Sequence, residues 1–312
     1  MKKTIMLTAL AAVVCFLGAC KKEGVYNPSE KISKIYKSST YVSQYYDGST
    51  WRDANNESSP KRLVEAWNWD GKKLMSIDSY NLDGTVEADE TVKFEYDGKR
   101  LTKITDVTGK NYATITYDGK VIDKVEMFND GVSSGTITFT YDGKKVSKIV
   151  YNFVSVPEED KVPRSAQLLN FVNQLLTPSN NEDLTAMIRK DMSKGTESAT
   201  MTYTWDGKNI SQETYTAGSY SVTNAYTYDN MNNPYKGNIM GYFDNETVLA
   251  ASKNNVTKVV TTYTDEGRSI SQTTEITYKY DGKWPTECTS SDSETYDDFR
   301  TTSTKTTYYE YL

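Results

Sequence analysis

Apolar and polar residues alternate along most of this 312-residue chain. Val92, Phe94 and Tyr96 are separated by Lys93 and Glu95, and the same alternation returns in four further segments. A period of two directs successive side chains to opposite faces of a strand, so that one face is buried and the other meets water. The pattern predicts antiparallel β-strands.

A tetrapeptide made of one aromatic residue followed by Asp-Gly-Lys recurs six times. The copies are Trp69–Lys72, Tyr96–Lys99, Tyr117–Lys120, Tyr141–Lys144, Trp205–Lys208 and Tyr280–Lys283, with weaker copies at Tyr46–Ser49 and Tyr228–Asn230. Asp-Gly between β-rich runs is the strongest short signal for a two-residue hairpin turn, in which both residues take positive φ. Each copy is therefore predicted to be a hairpin tip, with Trp69 and Trp205 standing in for tyrosine as structural residues.

The apolar spacing changes after each tip. It becomes three in four units: Leu74 and Ile77, Leu101 and Ile104, Ile122 and Val125, and Val146 and Ile149. Two residues three apart cannot share one face of a flat strand. A repeated β-bulge after the tip would resolve this and would curl the sheet.

Looser turns alternate with the tips. They lie at Asn81–Gly84, Thr108–Lys110 and Asn129–Gly131. This order predicts that all tips lie along one rim of the sheet and the variable loops along the other. Because binding usually resides in irregular loops, we expect any ligand to contact those loops rather than the nearly identical tips.

The β pattern stops once, between residues 157 and 196. Leu168, Leu169, Val172, Leu175 and Leu176 form a helical apolar stripe there. The segment predicts a small α-helical insertion that packs on the sheet, plugs it, or acts as a lid. The predicted fold is mainly β: one domain at 32–312, an antiparallel meander of repeated hairpins forming a strongly curved or barrel-like sheet with this insertion.

The first nineteen residues have the features of a signal peptide. Lys2 and Lys3 precede the apolar run Ile5–Leu17. The residues Leu17 to Cys20 resemble a bacterial lipobox, which implies cleavage before Cys20 and lipidation at that cysteine. Residues 20–31 then form a tether. Lys21 after the cysteine implies an outer-membrane lipoprotein, either periplasmic or surface-exposed, held to the membrane by its lipid.

The charge balance argues against nucleic acid as a partner. Removal of Lys2 and Lys3 with the signal leaves 34 basic and 42 acidic side chains, a net charge of −8. From its net charge, an acidic protein is expected to have no electrostatic attraction for nucleic-acid phosphates or for anionic lipid.

The chain contains no histidine, which excludes histidine-dependent nucleophilic catalysis and histidine-bound zinc. After loss of Cys15 and lipidation of Cys20, Cys288 is the remaining thiol, and we expect it to be buried. No spacing selects a pair of carboxylates, a metal loop or a phosphate-binding loop. We therefore predict a protein that is not an enzyme, with no catalytic residues, metal site or cofactor.

The order of motifs resembles a group of uncharacterised Bacteroidetes lipoproteins. The resemblance rests on the tandem Tyr-Asp-Gly-Lys units, which are similar to YD (Rhs-type) repeats, followed by Tyr228–Tyr235, Ser252–Val256 and Tyr280–Thr286. It implies a porin-like fold over about residues 60–312 and carries no catalytic residues. The second face of the strands holds Thr, Lys, Asp and Glu, so we predict a barrel that is not embedded in lipid.

Two aromatic residues in irregular segments are the candidate ligand-binding residues. Trp51 lies in the stretch 47–60 and Tyr235 in the stretch 230–242. Aromatic faces stack on the C–H faces of sugars. The predicted function is a non-enzymatic binding protein with a glycan as the expected ligand class. The alternative is a structural or protein-interaction module that contacts another envelope protein.

Overall fold

The computed structural model describes residues 26–81, 91–153, 198–217, 220–242, 247–265, 268–296 and 298–312. The predicted signal peptide, Cys20 and the predicted insertion at 157–196 lie outside the described residues. The strands are β1 Ile32–Tyr46, β2 Trp51–Asp70, β3 Lys73–Ser79, β4 Val92–Asp97, β5 Arg100–Thr105, β6 Tyr112–Asp118, β7 Val121–Asn129, β8 Val132–Asp142, β9 Lys145–Phe153, β10 Ser198–Asp206, β11 Asn209–Ala217, β12 Tyr220–Tyr228, β13 Val256–Asp265, β14 Arg268–Asp281, β15 Trp284–Tyr296 and β16 Phe299–Tyr311. A 3-10 turn at Ile239–Tyr242 and a short helix α1 at Thr247–Ala251 lie between β12 and β13.

These strands form one closed barrel. Each strand pairs antiparallel with the next one in sequence, and β1 pairs with β16 to close the ring. Ile35 lies opposite Tyr309 in that closing pair. The predicted antiparallel meander is confirmed, and its curvature is sufficient to close the sheet.

The apolar face of the strands is the inside of the barrel. Ile77, Ile137 and Ile149 are fully buried in one contiguous apolar cluster. The alternating residues on β8, such as Thr138 and Thr140, are exposed. Because the sheet is closed and its buried side chains pack together, polar side chains cover the outside.

The six tips are two-residue turns, but their geometry differs from the prediction. Asp97 pairs with Arg100, so that the two central residues are Gly98 and Lys99. Only the glycine has positive φ, +58°, and the aspartate does not. One positive φ at the first central position is the pattern of a type II′ turn, whereas a type I′ turn has two. The expectation of positive φ at both Asp and Gly was therefore wrong.

The predicted bulge is present in all six tip-forming hairpins. Tyr96 pairs with Leu101 and Glu95 with Lys103, which leaves Thr102 as the extra residue. The equivalent register shifts occur at Trp69, Tyr117, Tyr141, Trp205 and Tyr280. The Thr102 hydroxyl donates to the carbonyl of Glu95 at 3.2 Å, and Ser147, Ser211 and Thr286 make the same bond in their units. A hydroxyl at the bulge thus adds a hydrogen bond to a backbone carbonyl of the facing strand.

In five of the six tip-forming hairpins the aromatic residue of the repeat is bonded to the preceding strand pair; the exception is Tyr280, whose hydroxyl donates to the Asp229 carboxylate. In these five, and also at Tyr228 and Tyr311, the polar group of the aromatic side chain donates to the backbone carbonyl of the first residue of the neighbouring bulge. The bonds are Trp69 to Ile32 (2.8 Å), Tyr96 to Leu74 (2.9 Å), Tyr117 to Leu101 (2.8 Å), Tyr141 to Ile122 (3.0 Å), Trp205 to Val146 (2.8 Å), Tyr228 to Ile210 (2.5 Å) and Tyr311 to Pro285 (2.6 Å). The structural role predicted for Trp69 and Trp205 is confirmed, because their indole N–H groups replace the tyrosine hydroxyl.

The barrel has two different rims. The tip rim carries the six tips, and the loop rim carries the opposite ends of the same strands, including the β1–β2 turn at 47–50 and the β7–β8 turn at 130–131. As predicted, the tips lie on one rim and the looser turns on the other, with one exception. The irregular segment 229–255 lies at the tip rim, because β12 runs toward that rim as every even-numbered strand does.

Candidate functional site

The stretch 51–60, predicted to be irregular, is instead part of β2, and Trp51 is the first residue of that strand, at the loop rim on the outer face of the barrel. It is half-buried and pairs with Tyr46, whose ring centroid is 5.6 Å away. The Arg300 guanidinium carbon lies 4.8 Å from the centre of the Trp51 ring. The Arg300 Nε donates to the Gln44 amide oxygen at 2.6 Å, and the Gln44 amide nitrogen donates to Asp53 at 2.7 Å. Aromatic rings and planar polar groups therefore lie side by side on this outer face.

The turn that presents Trp51 is held by Asp47. Its carboxylate accepts from the backbone N–H groups of Ser49 and Thr50, both at 2.9 Å, and from the side chain of Arg52. These bonds stabilise the charged carboxylate, with the Thr50 N–H contributing most, and hold the Asp47 pKa well below its usual range. The aspartate of this weak repeat copy orders the loop that carries the aromatic residues.

A second aromatic group lies on the inner face at the same rim. Tyr45 and Phe299 lie directly opposite each other in the β1–β16 pair and are 45% and 40% exposed. Tyr41, four residues earlier on β1, is also exposed. On β2, Asn55 donates to Glu57 at 2.8 Å, and both lie on the face that carries Tyr41. The sequence interpretation missed Tyr41, Tyr45 and Phe299, although the i, i+4 spacing of the two tyrosines on a strand places them on one face.

Tyr235 is a core residue and not part of a ligand surface. It is 5% exposed, and its ring lies 6.3 Å from Trp67 and 6.1 Å from Tyr309. Its backbone N–H is bound by the side chain of Asn233, which also donates to the carbonyls of Leu249 and Ser252. Among the described residues of this segment, 229–242 and 247–255, Tyr235 packs in the core at the tip rim together with Ile239, Met240 and Val248.

Trp51 and Tyr235 therefore do not form one site. Tyr235 packs on Trp67, sixteen residues along β2 from Trp51, which at the rise of an extended strand is roughly 50 Å. Of the two predicted ligand-binding residues, Trp51 lies at the surface and Tyr235 does not. The candidate site is accordingly the loop-rim aromatic cluster, in which Tyr46 and Trp51 lie on the outer face and Tyr41, Tyr45 and Phe299 on the inner face.

Glu213 departs from the repeat at a buried position. It lies opposite Tyr203 in the place that Ile77, Ile104, Val125 and Ile149 occupy in other units, and it is 1% exposed. One carboxylate oxygen accepts from Asn224 at 2.9 Å and from the Tyr226 hydroxyl, while the other is buried without a hydrogen-bond partner among the described residues. Burial raises its pKa to about 7 against the effect of these two donors. Aligning the repeat units would have revealed this residue.

Glu65 on β2 is a second buried carboxyl group. It accepts from the Trp67 indole at 2.8 Å. Burial raises its pKa to about 7, and the nearby Lys37 and the Trp67 bond oppose the shift. With 2% and 1% of their surface exposed, Glu65 and Glu213 have no access to a ligand outside the barrel.

Within the residues that the structure describes, no group of three or more His, Cys, Asp or Glu side chains is arranged to hold a metal ion. The same ranges contain no helix that is long and apolar enough to cross a membrane. Cys288 is buried as expected, and burial raises its thiol pKa to about 12. The thiol is therefore protonated and unreactive at neutral pH.

Comparison with known proteins identifies the fold. No family model matches the chain, and no curated protein sequence matches it. Among solved structures, a porin-like protein from Bacteroides uniformis ATCC 8492 is similar, with a TM-score of 0.51 and 12% identity over 92% of this chain and 100% of that chain. A porin-like protein from Bacteroides vulgatus ATCC 8482 has a TM-score of 0.46 and 9% identity over 90% and 99%. The chain thus has a porin-like barrel fold, as its sequence resemblance implied.

Proposed function

We propose that this protein is a lipid-anchored, non-enzymatic binding protein of the outer membrane, with a glycan as its ligand. The observation that carries the proposal is the loop-rim aromatic cluster, whose rings are exposed at one end of an otherwise polar barrel. Exposed aromatic faces beside amide, guanidinium and carboxylate groups suit sugars, because rings stack on C–H faces and polar groups bind hydroxyls. The envelope location is supported by the sequence around Cys20 and by the porin-like fold.

The outer surface supports a barrel that stands outside the lipid bilayer. A membrane-spanning barrel carries a continuous outward-facing apolar band. On β8 the outward positions are threonines, and on β4 they are Lys93 and Glu95. A lipid anchor at Cys20 then supplies the membrane attachment.

The carboxylates near the cluster support a binding role rather than hydrolysis. A glycosidase places two carboxyl groups on either side of one scissile bond. Asp53 pairs with Gln44 and therefore faces outward, while Glu57 pairs with Tyr41 and faces inward. The two groups therefore lie on opposite faces of β2 and cannot flank the same bond.

The test is a glycan array with the chain begun at residue 21, followed by titration of any hit. All sixteen strands lie within residues 32–311, so this chain retains the whole barrel. Trp51→Ala should weaken a ligand held on the outer face of the cluster, and Phe299→Ala one held on the inner face, in each case about five- to thirty-fold, the loss of one stacked ring. Val132→Ala is the matched control, because Val132 is an exposed apolar residue elsewhere on the loop rim. A blank array, or a hit that survives both aromatic substitutions, would favour the protein-interaction alternative.

A further inference from the structure

The tip rim has a charge that contrasts with the rest of the protein. The six tips comprise residues 70–73, 97–100, 118–121, 142–145, 206–209 and 281–284, and together they hold nine basic and six acidic side chains. The remainder of the chain from residue 21 holds 25 basic and 36 acidic side chains. In an acidic protein the six tips thus carry a net positive charge of +3.

The lysines of the tips lie at the turn ends of their hairpins. In each tip the lysine occupies the second central position of the turn, and the aspartate lies one strand pair behind it. Lys72, Lys99, Lys144 and Lys208 are all exposed. Behind them, Lys73, Arg100 and Lys145 lie over the rings of Tyr96, Tyr117 and Trp205. The repeat therefore arranges its lysines in a ring around the barrel.

The start of the fold lies at the same end. The first described residue, Tyr26, is buried, and its hydroxyl donates to the Pro234 carbonyl at 2.5 Å in the segment that fills the tip rim. Its ring also lies 5.5 Å from that of Trp69, which precedes a tip. Tyr26 follows Cys20 by six residues, and six extended residues span at most about 20 Å. A lipid on Cys20 therefore holds the tip rim close to the membrane.

We propose that the ring of tip lysines rests on an anionic phospholipid surface, so that the loop rim faces away from the membrane. This orientation rests on the lipid anchor of the proposed function, whereas the attraction of the tips to anionic lipid does not. β1 has fifteen residues and is about 45 Å long when extended, and strand tilt reduces this height to about 30 Å or more. The loop-rim aromatic cluster is then held well clear of the bilayer, where a large glycan can reach it.

The first experiment measures lipid attraction without the anchor. The chain begun at residue 21 is sedimented with vesicles of phosphatidylcholine alone or with one quarter phosphatidylglycerol, at low and high salt. Binding to the anionic vesicles that disappears at high salt is the expected result. Substituting Lys72, Lys99 and Lys144 by Gln should weaken it roughly fivefold for each lysine.

The matched control removes three lysines from the side wall, Lys93, Lys148 and Lys258, and should change binding less than about twofold. Equal loss in the two triple variants, or no binding to anionic vesicles, would overturn the lysine ring as the lipid contact. A blank glycan array would leave this result untouched, so that failure of the proposed ligand and failure of the membrane contact are distinguished.

The second experiment tests orientation in the full lipidated chain. A fluorophore is attached at Lys208→Cys on a tip or at Val132→Cys on the loop rim, and spin-labelled lipids serve as quenchers. Quenching is expected for the label at 208 and not at 132. Equal quenching at both positions, or stronger quenching at 132, would overturn the orientation.

Discussion

The hydroxyl of Tyr96 donates a hydrogen bond of 2.9 Å to the backbone carbonyl of Leu74, the first residue of the bulge in the preceding hairpin. The same contact recurs around the tip rim with tyrosine or tryptophan as donor. It explains why the repeat uses those two residues and not phenylalanine, since only they combine a large apolar ring with a donor. Burial raises the pKa of Tyr96 to about 12, so the donor proton is retained at neutral pH.

We therefore expect Tyr96→Phe to destabilise the barrel by about 1 kcal/mol, the net value of one hydrogen bond whose acceptor stays buried. Urea denaturation of both proteins provides the measurement. Tyr45→Phe is the control, because its ring is exposed at the loop rim and its loss of a hydroxyl should have little effect. Equal stability of Tyr96→Phe and the parent protein would show that the bond does not join the hairpins.

The tip glycines are required for backbone conformation and not for space. Gly98 has φ of +58°, and an added Cβ would meet no heavy atom within 4 Å. Gly98→Val should still cost more than about 1 kcal/mol, because a β-branched residue is strained at positive φ. Lys99→Val at the next position, where φ is not positive, should change the melting temperature little. Similar melting temperatures for Gly98→Val and Lys99→Val would contradict this turn geometry.

Glu213 makes stability depend on pH. Its pKa is about 7 in the folded protein and 4.5 as a free side chain, so the folded state binds more protons between these values. The Glu213 contribution to stability should therefore be most favourable below about pH 4.5, fall as the pH rises to 7, and then level off. The shift corresponds to roughly 3 kcal/mol, and Glu65 acts in the same direction.

The variant Glu213→Gln should remove the Glu213 part of this dependence and be more stable than the parent at pH 8. Chemical denaturation at pH 5 and pH 8 measures the difference for each protein. An unchanged difference between the two pH values in Glu213→Gln would show that this carboxyl group is not the one that titrates.

Membrane attachment should depend on one residue, Cys20. Cys20→Ala is expected to release a folded protein from the membrane fraction, because residues 32–311 contain the entire barrel. Fractionation after a high-salt wash removes the weaker attraction of the tip lysines and isolates the effect of the lipid. A variant that still sediments with membranes after that wash would refute lipid anchoring at Cys20.

Local chemistry in the sequence was enough to predict the strands, the tips and the bulges. The period of two identifies each strand, the Asp-Gly pair locates each tip, and the spacing of three after it shows the extra residue. All of these signals act over fewer than ten residues. The turn type was predicted wrongly because aspartate is compatible both with a central turn position and with the last strand pair before the turn. The backbone φ of the aspartate distinguishes these two positions.

Closure of the barrel and the fate of individual aromatic residues were decided only by the tertiary structure. Ile35 meets Tyr309 across almost the whole chain, and that pairing depends on the twist and bulges accumulated over sixteen strands. The same closure buries Tyr235 against Trp67 and leaves Tyr45 and Phe299 exposed side by side. Which aromatic residues pack in the core and which stay exposed is set by where closure places each one between the two rims, and a residue's immediate neighbours in sequence do not contain that information.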